Sequence, residues 1–265
     1  MSPPFQSETE VLASEALTED IYRLTLRAPD IAAAAQPGQF VMLRVTAAGH
    51  DPLLRRPFSI ALATAGGEVH LLYKVVGRGT RLMTTLRPGD PVGLVGPLGQ
   101  GFRLEKGKSR YLIGGGLGAA PLLFLSHRLL EEADGEPPLV LLGARHREEL
   151  AAITADFEAA GLEIVKATDD GSAGHHGYVV DLLPTALEDS NQGGQVYSCG
   201  PYPMLRAVAQ LCHLRGWACQ VSLETMMACG LAACLGCALP RAGLEGYVHV
   251  CKDGPVFEAG QVAWF

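Results

Sequence analysis

Tyr111-Leu112-Ile113-Gly114-Gly115-Gly116-Leu117-Gly118-Ala119-Ala120-Pro121 is the stretch on which the fold of this 265-residue chain turns. Apolar residues suited to a buried strand run into a glycine-rich turn. An amphipathic segment with leucines at helical spacing follows, from about Pro121 to Glu132. In that order, strand, turn and helix let the backbone approach a diphosphate at the helix N-terminus, where unpaired N–H groups favour an anion. The usual dinucleotide fingerprint is G-x-G-x-x-G, followed about twenty residues later by an acid for the ribose. Here Gly116, Gly118 and Pro121 give G-x-G-x-x-P, and the next strand ends in Gly143-Ala144-Arg145-His146-Arg147. A dinucleotide is therefore expected in a modified pose. The basic trio is open either to a 2′-phosphate or to solvent, so NAD and NADP both stand.

Downstream, strands at Leu139–Leu142, Glu163–Lys166 and Gln195–Cys199 alternate with helices at Arg147–Ala160 and Met204–Arg215. That alternation predicts a doubly wound parallel sheet. Tyr197-Ser198-Cys199-Gly200-Pro201 closes the last strand at its carboxyl edge, where such sheets hold ligands. The Cys199 thiol can pack there against a nicotinamide ring, or be a small buried residue before a Gly-Pro turn.

Upstream the texture changes. From Glu8 to about Phe102, six short β-rich runs are broken at Pro37-Gly38, Ala65-Gly66-Gly67 and Arg87-Pro88-Gly89-Asp90. Six strands with no long helix between them predict a small closed antiparallel barrel. Arg55-Arg56-Pro57-Phe58-Ser59-Ile60 places a guanidinium, an aromatic ring and a hydroxyl together at a strand start. These can hold a flavin diphosphate, stack on the ring system and reach a polar edge. Val76-Gly77-Arg78-Gly79-Thr80 offers a second glycine-flanked approach to phosphate. Both are also ordinary strand and turn sequences. A charged linker, Leu104–Arg110, separates barrel from sheet.

The C-terminal stretch Met227–Cys251 holds Cys229, Cys234, Cys237 and Cys251, with four, two and thirteen residues between successive cysteines. This is the plant-type C-x4-C-x2-C…C spacing of a 2Fe–2S cluster. Three ligands converge from one tight loop and the fourth arrives from elsewhere. Gly230, Ala232, Ala233 and Gly236 let backbone wrap closely and aim N–H groups at sulfur. Structural zinc more often uses two separated knuckles. A Rieske centre needs two histidines, and His249 alone is near.

A hydrophobic fraction of 48% and a charged fraction of 18% describe a globular chain. The net charge of −7 gives no electrostatic reason to expect nucleic acid or an anionic membrane as partner. No signal peptide fits the N-terminus, and no apolar run is long enough to span a bilayer. Seven cysteines, four of them in a cluster motif, point to a reducing cytoplasm. Cys212 and Cys219 read as buried thiols.

Together these parts resemble the ferredoxin-reductase-like flavoproteins over essentially the whole chain. Within them the likeness is to the electron-transfer subunits of heteromeric, NAD-linked dihydroorotate dehydrogenase. It is carried by Pro37-Gly38-Gln39-Phe40, Arg56-Pro57-Phe58-Ser59, Gly77-Arg78-Gly79-Thr80, Gly96-Pro97-Leu98-Gly99 and Gly114–Pro121. Thr168-Asp169-Asp170-Gly171, Cys199-Gly200-Pro201 and the cysteine loop running into Cys251-Lys252-Asp253-Gly254-Pro255-Val256-Phe257 complete it. The resemblance implies FAD on Arg56, Pro57, Phe58 and Ser59, on Tyr73, Lys74 and Val75, and on Gly79 and Thr80. It implies NAD as substrate on Gly114, Gly115, Gly116, Gly118 and Pro121 and on the turn Cys199-Gly200-Pro201. The cluster ligands are Cys229, Cys234, Cys237 and Cys251. Phe58 stands where the wider family often has tyrosine, which keeps stacking and loses a phenol hydrogen bond.

The implied architecture is β plus α/β: an antiparallel FAD barrel over residues 1–104, a doubly wound nucleotide domain over 105–216, and a small cluster lobe over 217–265 packed on the barrel. The implied partner is an FMN-containing catalytic subunit, in a complex of two chains of each kind. Electrons from dihydroorotate would pass singly through the cluster to FAD, and leave as hydride to NAD+, in pyrimidine biosynthesis. This chain then needs no acid–base pair or nucleophile of its own, and has no dihydroorotate site. Met226, Met227, Leu231 and Leu235 are expected either to face the partner or to pack the cluster pocket. Two other readings stay open. One is an NAD(P)H–ferredoxin oxidoreductase or hydrogenase diaphorase subunit built from the same modules. The other is a zinc-stabilised scaffold without enzymatic activity.

Overall fold

Strands with one buried face show alternate burial along the chain, and the first hundred residues do so. The structure is a computed structural model and describes residues 4–45, 51–105, 109–132, 136–188, 194–243 and 245–264. Strands β1 (Phe5–Ala16), β2 (Ile21–Arg27), β3 (Phe40–Arg44), β4 (Arg56–Ala63), β5 (Glu68–Lys74) and β6 (Pro91–Leu98) form a closed barrel in the order β1-β2-β5-β4-β3-β6. Every pairing is antiparallel. Leu24 and Leu26 on β2, and Val69 and Leu71 on β5, are wholly buried inside it. Helix α1 (Pro29–Ala34) adds Ile31 to this core, and α2 (Arg78–Met83) adds Met83.

The expected linker between barrel and sheet has its centre, 106–108, outside the described residues. Beyond it come β7 (Ser109–Gly115), α3 (Ala119–Leu130), β8 (Leu139–Ala144), α4 (Arg147–Ala159), β9 (Ile164–Thr168) and β10 (His175–His176). Next are α5 (Leu183–Glu188), β11 (Gly194–Cys199), α6 (Tyr202–Arg215) and β12 (Ala218–Ser222). With β15 (Val256–Glu258), the strands order β10-β9-β8-β7-β11-β12-β15. All neighbours are parallel except β15, which runs antiparallel to β12. The chain winds outward from β7 through β8 and β9, then returns to the other side of β7 for β11. Connections therefore diverge between β7 and β11, which opens a crevice at their carboxyl ends.

Residues 218–222 and 256–258 pair within this sheet, so the segment after Arg215 is not confined to the cysteine loop. The short run Ala218–Ser222 has no helix after it to mark a β/α unit, and pairing alone places it. Between these strands lie the cysteine loop and a hairpin of β13 (Ala238–Pro240) and β14 (Tyr247–His249).

The three parts share packing. Phe124 of α3 is 1% exposed and lies in the barrel core, a burial worth about 2–3 kcal/mol. Arg23 on the barrel forms a two-pronged ion pair with Asp156 of α4, at 2.7 and 2.6 Å. The cysteine loop rests on β3: a Cβ on Gly230, whose φ is +69°, would lie 2.6 Å from Met42. Glycine is required there both by the left-handed backbone and by the close approach.

Candidate active site and cluster loop

A cleft of about 330 Å³ lies where the barrel, the glycine loop and the segment after β12 meet. Barrel residues Arg56, Pro57, Phe58 and Ser59 of β4, Tyr73 and Lys74 of β5, and Thr80 of α2 line one side. Leu117 and Ala120 close the top, and Ser222, Leu223, Glu224, Thr225 and Met227 form the opposite wall. Seven of the nine residues expected to hold FAD thus face one cavity. The other two stand behind it. Val75 packs against the barrel core, and a Cβ on Gly79 would lie 2.9 Å from Arg56 Nε, so Gly79 makes room for that guanidinium.

Local chemistry shapes this wall. Thr80 Oγ1 accepts the N–H groups of Val76 (2.9 Å) and Gly77 (3.1 Å) and donates to the Gly77 carbonyl. Its hydroxyl fixes the turn rather than projecting into the cleft. Phe58 meets Tyr73 edge to face, with centroids 6.0 Å apart, and Tyr73 stacks on Tyr22 at 5.6 Å. Burial raises the Tyr73 hydroxyl well above the usual phenol range, so it stays protonated.

The two segments assigned to the nucleotide also converge. Cys199 registers with Gly114 across the β7–β11 pair. A Cβ on Gly118 would fall 2.2 Å from the Cys199 carbonyl oxygen, and one on Gly115 would meet Met204 Sδ at 2.6 Å and Pro201 at 3.0 Å. A Cβ on Gly200 would lie 3.0 Å from the Gly115 N–H nitrogen. Gly116–Gly118 form a 3-10 turn into α3, and Pro121 is buried in the helix's first turn, where it shapes the start.

Cys199 is 1% exposed. Burial and the neighbouring Glu224 carboxyl push its thiol far up, against a hydrogen bond from Ser222, so it remains a neutral packing group. Glu224 lies exposed on the wall of the cleft, where the surrounding protein reduces its hydration and raises its carboxyl above the ordinary range. Sequence reading missed Glu224 and its neighbours Ser222, Leu223 and Thr225. No spacing rule marks them, because only the β11–β12 pairing brings them to Cys199.

The cysteine loop is built for thiolates. Gly230, Ala232 and Leu235 have φ of 69°, 59° and 58°. Two of these are non-glycine residues in the left-handed region, a costly conformation that turns successive N–H groups inward. Leu231 and Cys234 N–H donate to Cys229 Sγ at 3.4 Å, Ala232 N–H donates to Cys251 Sγ at 3.3 Å, and Cys251 N–H donates to Cys237 Sγ at 3.5 Å. Burial acts to raise the Cys229 thiol, but these donors outweigh it and bring it down to about 7.

Cys237 and Cys251 are buried with sulfurs 3.2 Å apart, while Cys229 pairs with Cys234 at the exposed edge. Among the described residues, no three metal-ligating side chains close on a single-ion position. Two sulfur pairs with inward N–H donors fit a two-iron cluster better than one tetrahedral zinc. The described cysteines are all free thiols. No helix among the described residues is long and apolar enough to cross a membrane.

A flavin barrel abutting a switch-point crevice defines the class: pyridine-nucleotide-linked flavoprotein oxidoreductases, here extended by an iron–sulfur segment. Three family profiles match in the same order. They describe an oxidoreductase FAD-binding domain at residues 8–102, an oxidoreductase NAD-binding domain at 112–210, and the iron–sulfur cluster binding domain of dihydroorotate dehydrogenase B at 224–263. The relative from Desulforamulus reducens, "Dihydroorotate dehydrogenase B (NAD(+)), electron transfer subunit", is 38% identical over 97% of this chain and 98% of its own. Proteins of the same name from Geobacillus thermodenitrificans and Bacillus caldolyticus are 39% and 40% identical, each over 95% of this chain and 96% of theirs. The chain belongs to the family of dihydroorotate dehydrogenase B electron-transfer subunits. Among solved structures, the NADH-dependent reduced ferredoxin-NADP oxidoreductase superposes with a TM-score of 0.85 at 27% identity, over 97% of this chain and 90% of that one. The ferredoxin reductase of carbazole 1,9a-dioxygenase reaches 0.69 at 28%, over 81% and 67%.

Proposed function

We propose that this chain couples the oxidation of dihydroorotate, carried out at FMN in a separate catalytic subunit, to the reduction of NAD+. The complex is a cytoplasmic heterotetramer of two chains of each kind, serving pyrimidine biosynthesis. The observation that carries this reading is continuity: Leu223, Glu224, Thr225 and Met227 form a wall of the flavin cleft, and the same segment runs directly into Cys229. One short segment thus touches both redox sites.

In this reading FAD lies on Arg56–Ser59, Tyr73–Val75 and Gly79–Thr80, and the nucleotide on Gly114–Gly118, Pro121 and Cys199–Pro201. Cys229, Cys234, Cys237 and Cys251 ligate the cluster. Flavin exchanges one electron or two and an iron–sulfur cluster exchanges one, which joins hydride chemistry to single-electron chemistry. The chain supplies positioning. Arg56 offers a fixed cation for the diphosphate, while Phe58, Leu117, Leu223 and Met227 give the cleft apolar, water-excluding walls. Cys199 keeps its proton and packs beneath the crevice as an uncharged group.

Met226 and the cluster-loop residues Leu231 and Leu235 are 90%, 52% and 57% exposed. They supply the apolar face on which the catalytic subunit would dock. The likeness to the ferredoxin-linked structure supports the shared three-part architecture. The identities of 38–40% favour the dihydroorotate branch.

The test is anaerobic. NADH added to the purified, FAD- and iron-loaded chain should bleach both flavin and cluster absorbance. Dihydroorotate should bleach neither until the catalytic subunit is added. No bleaching by NADH despite bound FAD and iron would overturn the reading.

A further inference from the structure

Two cysteines serve neither the cluster loop nor the crevice. Cys212 lies in the last turn of α6, and Cys219 lies on β12. Between them Gly216 takes a left-handed conformation, with φ of +68°, and the Trp217 N–H closes the helix end on the Cys212 carbonyl at 2.9 Å. The chain thereby turns back on itself, and β12 carries Cys219 past the helix into parallel register with β11, opposite Val196. The two side chains meet. Their thiols are hydrogen-bonded to each other and only 1% and 6% exposed. That contact, and then burial, raise the Cys219 thiol well above its usual range.

These thiols are not sealed in the core. Both line a cavity of about 430 Å³ whose other walls include Trp217, Trp264, His213 and Glu258. Trp264 is fixed there by its Nε1–H, which donates to the Ala259 carbonyl at 2.9 Å. A water's share of the liquid is about 30 Å³, so a small polar molecule fits with room to spare. Among the described residues, none assigned to FAD, nucleotide or cluster lines this cavity. A solitary buried thiol is inert. Two thiols in contact beside an open space differ, because the second captures the product of oxidising the first. Sulfurs already in hydrogen-bond contact must close to about 2.0 Å to form a disulfide, a movement that side-chain rotation supplies.

We propose that Cys212 and Cys219 form a reversible redox site, in which a hydroperoxide entering the cavity converts them to a disulfide that ties α6 to β12. The Cys212 sulfur attacks one oxygen of hydrogen peroxide. An S–O bond forms, the O–O bond breaks, and the leaving oxygen departs as water with the thiol proton, which gives a sulfenic acid. Cys219 then attacks that sulfur. The S–S bond forms, the S–O bond breaks, and a second water carries off the Cys219 proton. The thiols lose two electrons and two protons, and the peroxide becomes two waters. An added dithiol reverses the step by exchange. Because α6 follows the Cys199–Pro201 turn and β12 leads into the cleft wall, the bridge fastens two elements that frame the crevice.

The test uses the FAD- and cluster-loaded protein. Hydrogen peroxide is added in steps until cluster absorbance begins to fall, and each sample is denatured with an alkylating reagent and digested with trypsin. Cleavage at Arg215 parts Cys212, in peptide 207–215, from Cys219, in peptide 216–241. The expected product is the two peptides joined, two hydrogens lighter than their sum. It should form while flavin and cluster absorbance persist, and vanish on treatment with dithiothreitol. Cys219→Ser and Cys212→Ser should each abolish it. A link that survives Cys219→Ser comes from a cluster cysteine in the same peptide, and overturns the inference. So does the wild type if, when the cluster starts to bleach, both thiols still alkylate or either has become a sulfinic acid without a link. That reading needs no variant to fold.

Discussion

Gly118→Ala should separate the nucleotide function of this chain from its flavin and cluster functions. At Gly118 the backbone has φ of −60° and ψ of −13°, which alanine adopts readily, so no conformational strain is involved. The obstacle is contact. The new methyl would lie 2.2 Å from the Cys199 carbonyl oxygen, 2.4 Å from its carbon and 2.6 Å from the Gly200 nitrogen. These are backbone atoms and no side chain can rotate aside. The start of α3 and the Cys199–Pro201 turn must part by roughly 1 Å. Overpacking of this kind costs about 1–3 kcal/mol, and a clash with backbone belongs at the upper end.

That cost sits within the roughly 5–15 kcal/mol stability of a folded protein, so the chain should remain folded. A 1 Å displacement at a hydride-transfer site, however, slows the reaction by about a hundredfold. The control is Gly114→Ala, whose methyl meets the Ala119 backbone at an ordinary 3.5 Å and whose close contacts are the ends of the Leu142 and Leu122 side chains, at 2.6 and 3.1 Å. Those can repack. In anaerobic stopped-flow experiments, NADH should reduce the flavin of Gly118→Ala about a hundredfold more slowly than wild type. Gly114→Ala should lose no more than about tenfold. Both variants should keep FAD and iron. Wild-type reduction rates in Gly118→Ala, or greater damage from Gly114→Ala, would refute the reasoning.

Cys234→Ala should remove iron, sulfide and cluster absorbance while FAD stays bound at one per chain, because Cys234 lies at the exposed edge of the loop, away from the cleft. Loss of FAD together with iron would show that the wall Leu223–Met227 depends on the cluster. Acid should weaken the contact between barrel and nucleotide domain. Burial acts to raise the Glu149 carboxyl, but hydrogen bonds from Arg145 and Lys74 outweigh it and bring it from 4.5 to about 2. A carboxyl depressed by folding contributes stability above its unfolded pKa and loses that contribution as pH falls through the folded one. The unfolding free energy of wild type relative to Glu149→Gln should therefore shrink as pH drops from about 4.5 to about 2. A difference independent of pH across that window would contradict the ion-pair geometry.

Much of this molecule is legible along the chain because its signals are local. Periodicity marked six barrel strands and four of the parallel ones. Glycines at 114–118 marked the turn into α3, and the spacing of Cys229, Cys234 and Cys237 marked a ligand loop, since three ligands within nine residues need no tertiary information to converge. Arg56–Ser59 fall together at the start of one strand for the same reason. The residues missed are those whose role comes from a partner distant in sequence. β12 looks like the tail of a lobe until it pairs with β11, and Glu224 reaches the cleft only because of that pairing.

The basic trio Arg145-His146-Arg147 shows the limit most clearly. Composition alone leaves it open between a 2′-phosphate site and a solvated loop. In the fold Glu149 binds Arg145 Nε and the Ser172 carbonyl binds Arg147, while Asp20, from the barrel and more than a hundred residues away, comes within 3.9 Å of the exposed Arg145 guanidinium. Sequence by itself determined which backbone segments could cradle a diphosphate and which thiols could hold iron, because those depend on chain geometry over a few residues. The tertiary structure decided which charges remain to greet a ligand, because Coulomb energies depend on through-space distance and burial, and the fold alone sets both.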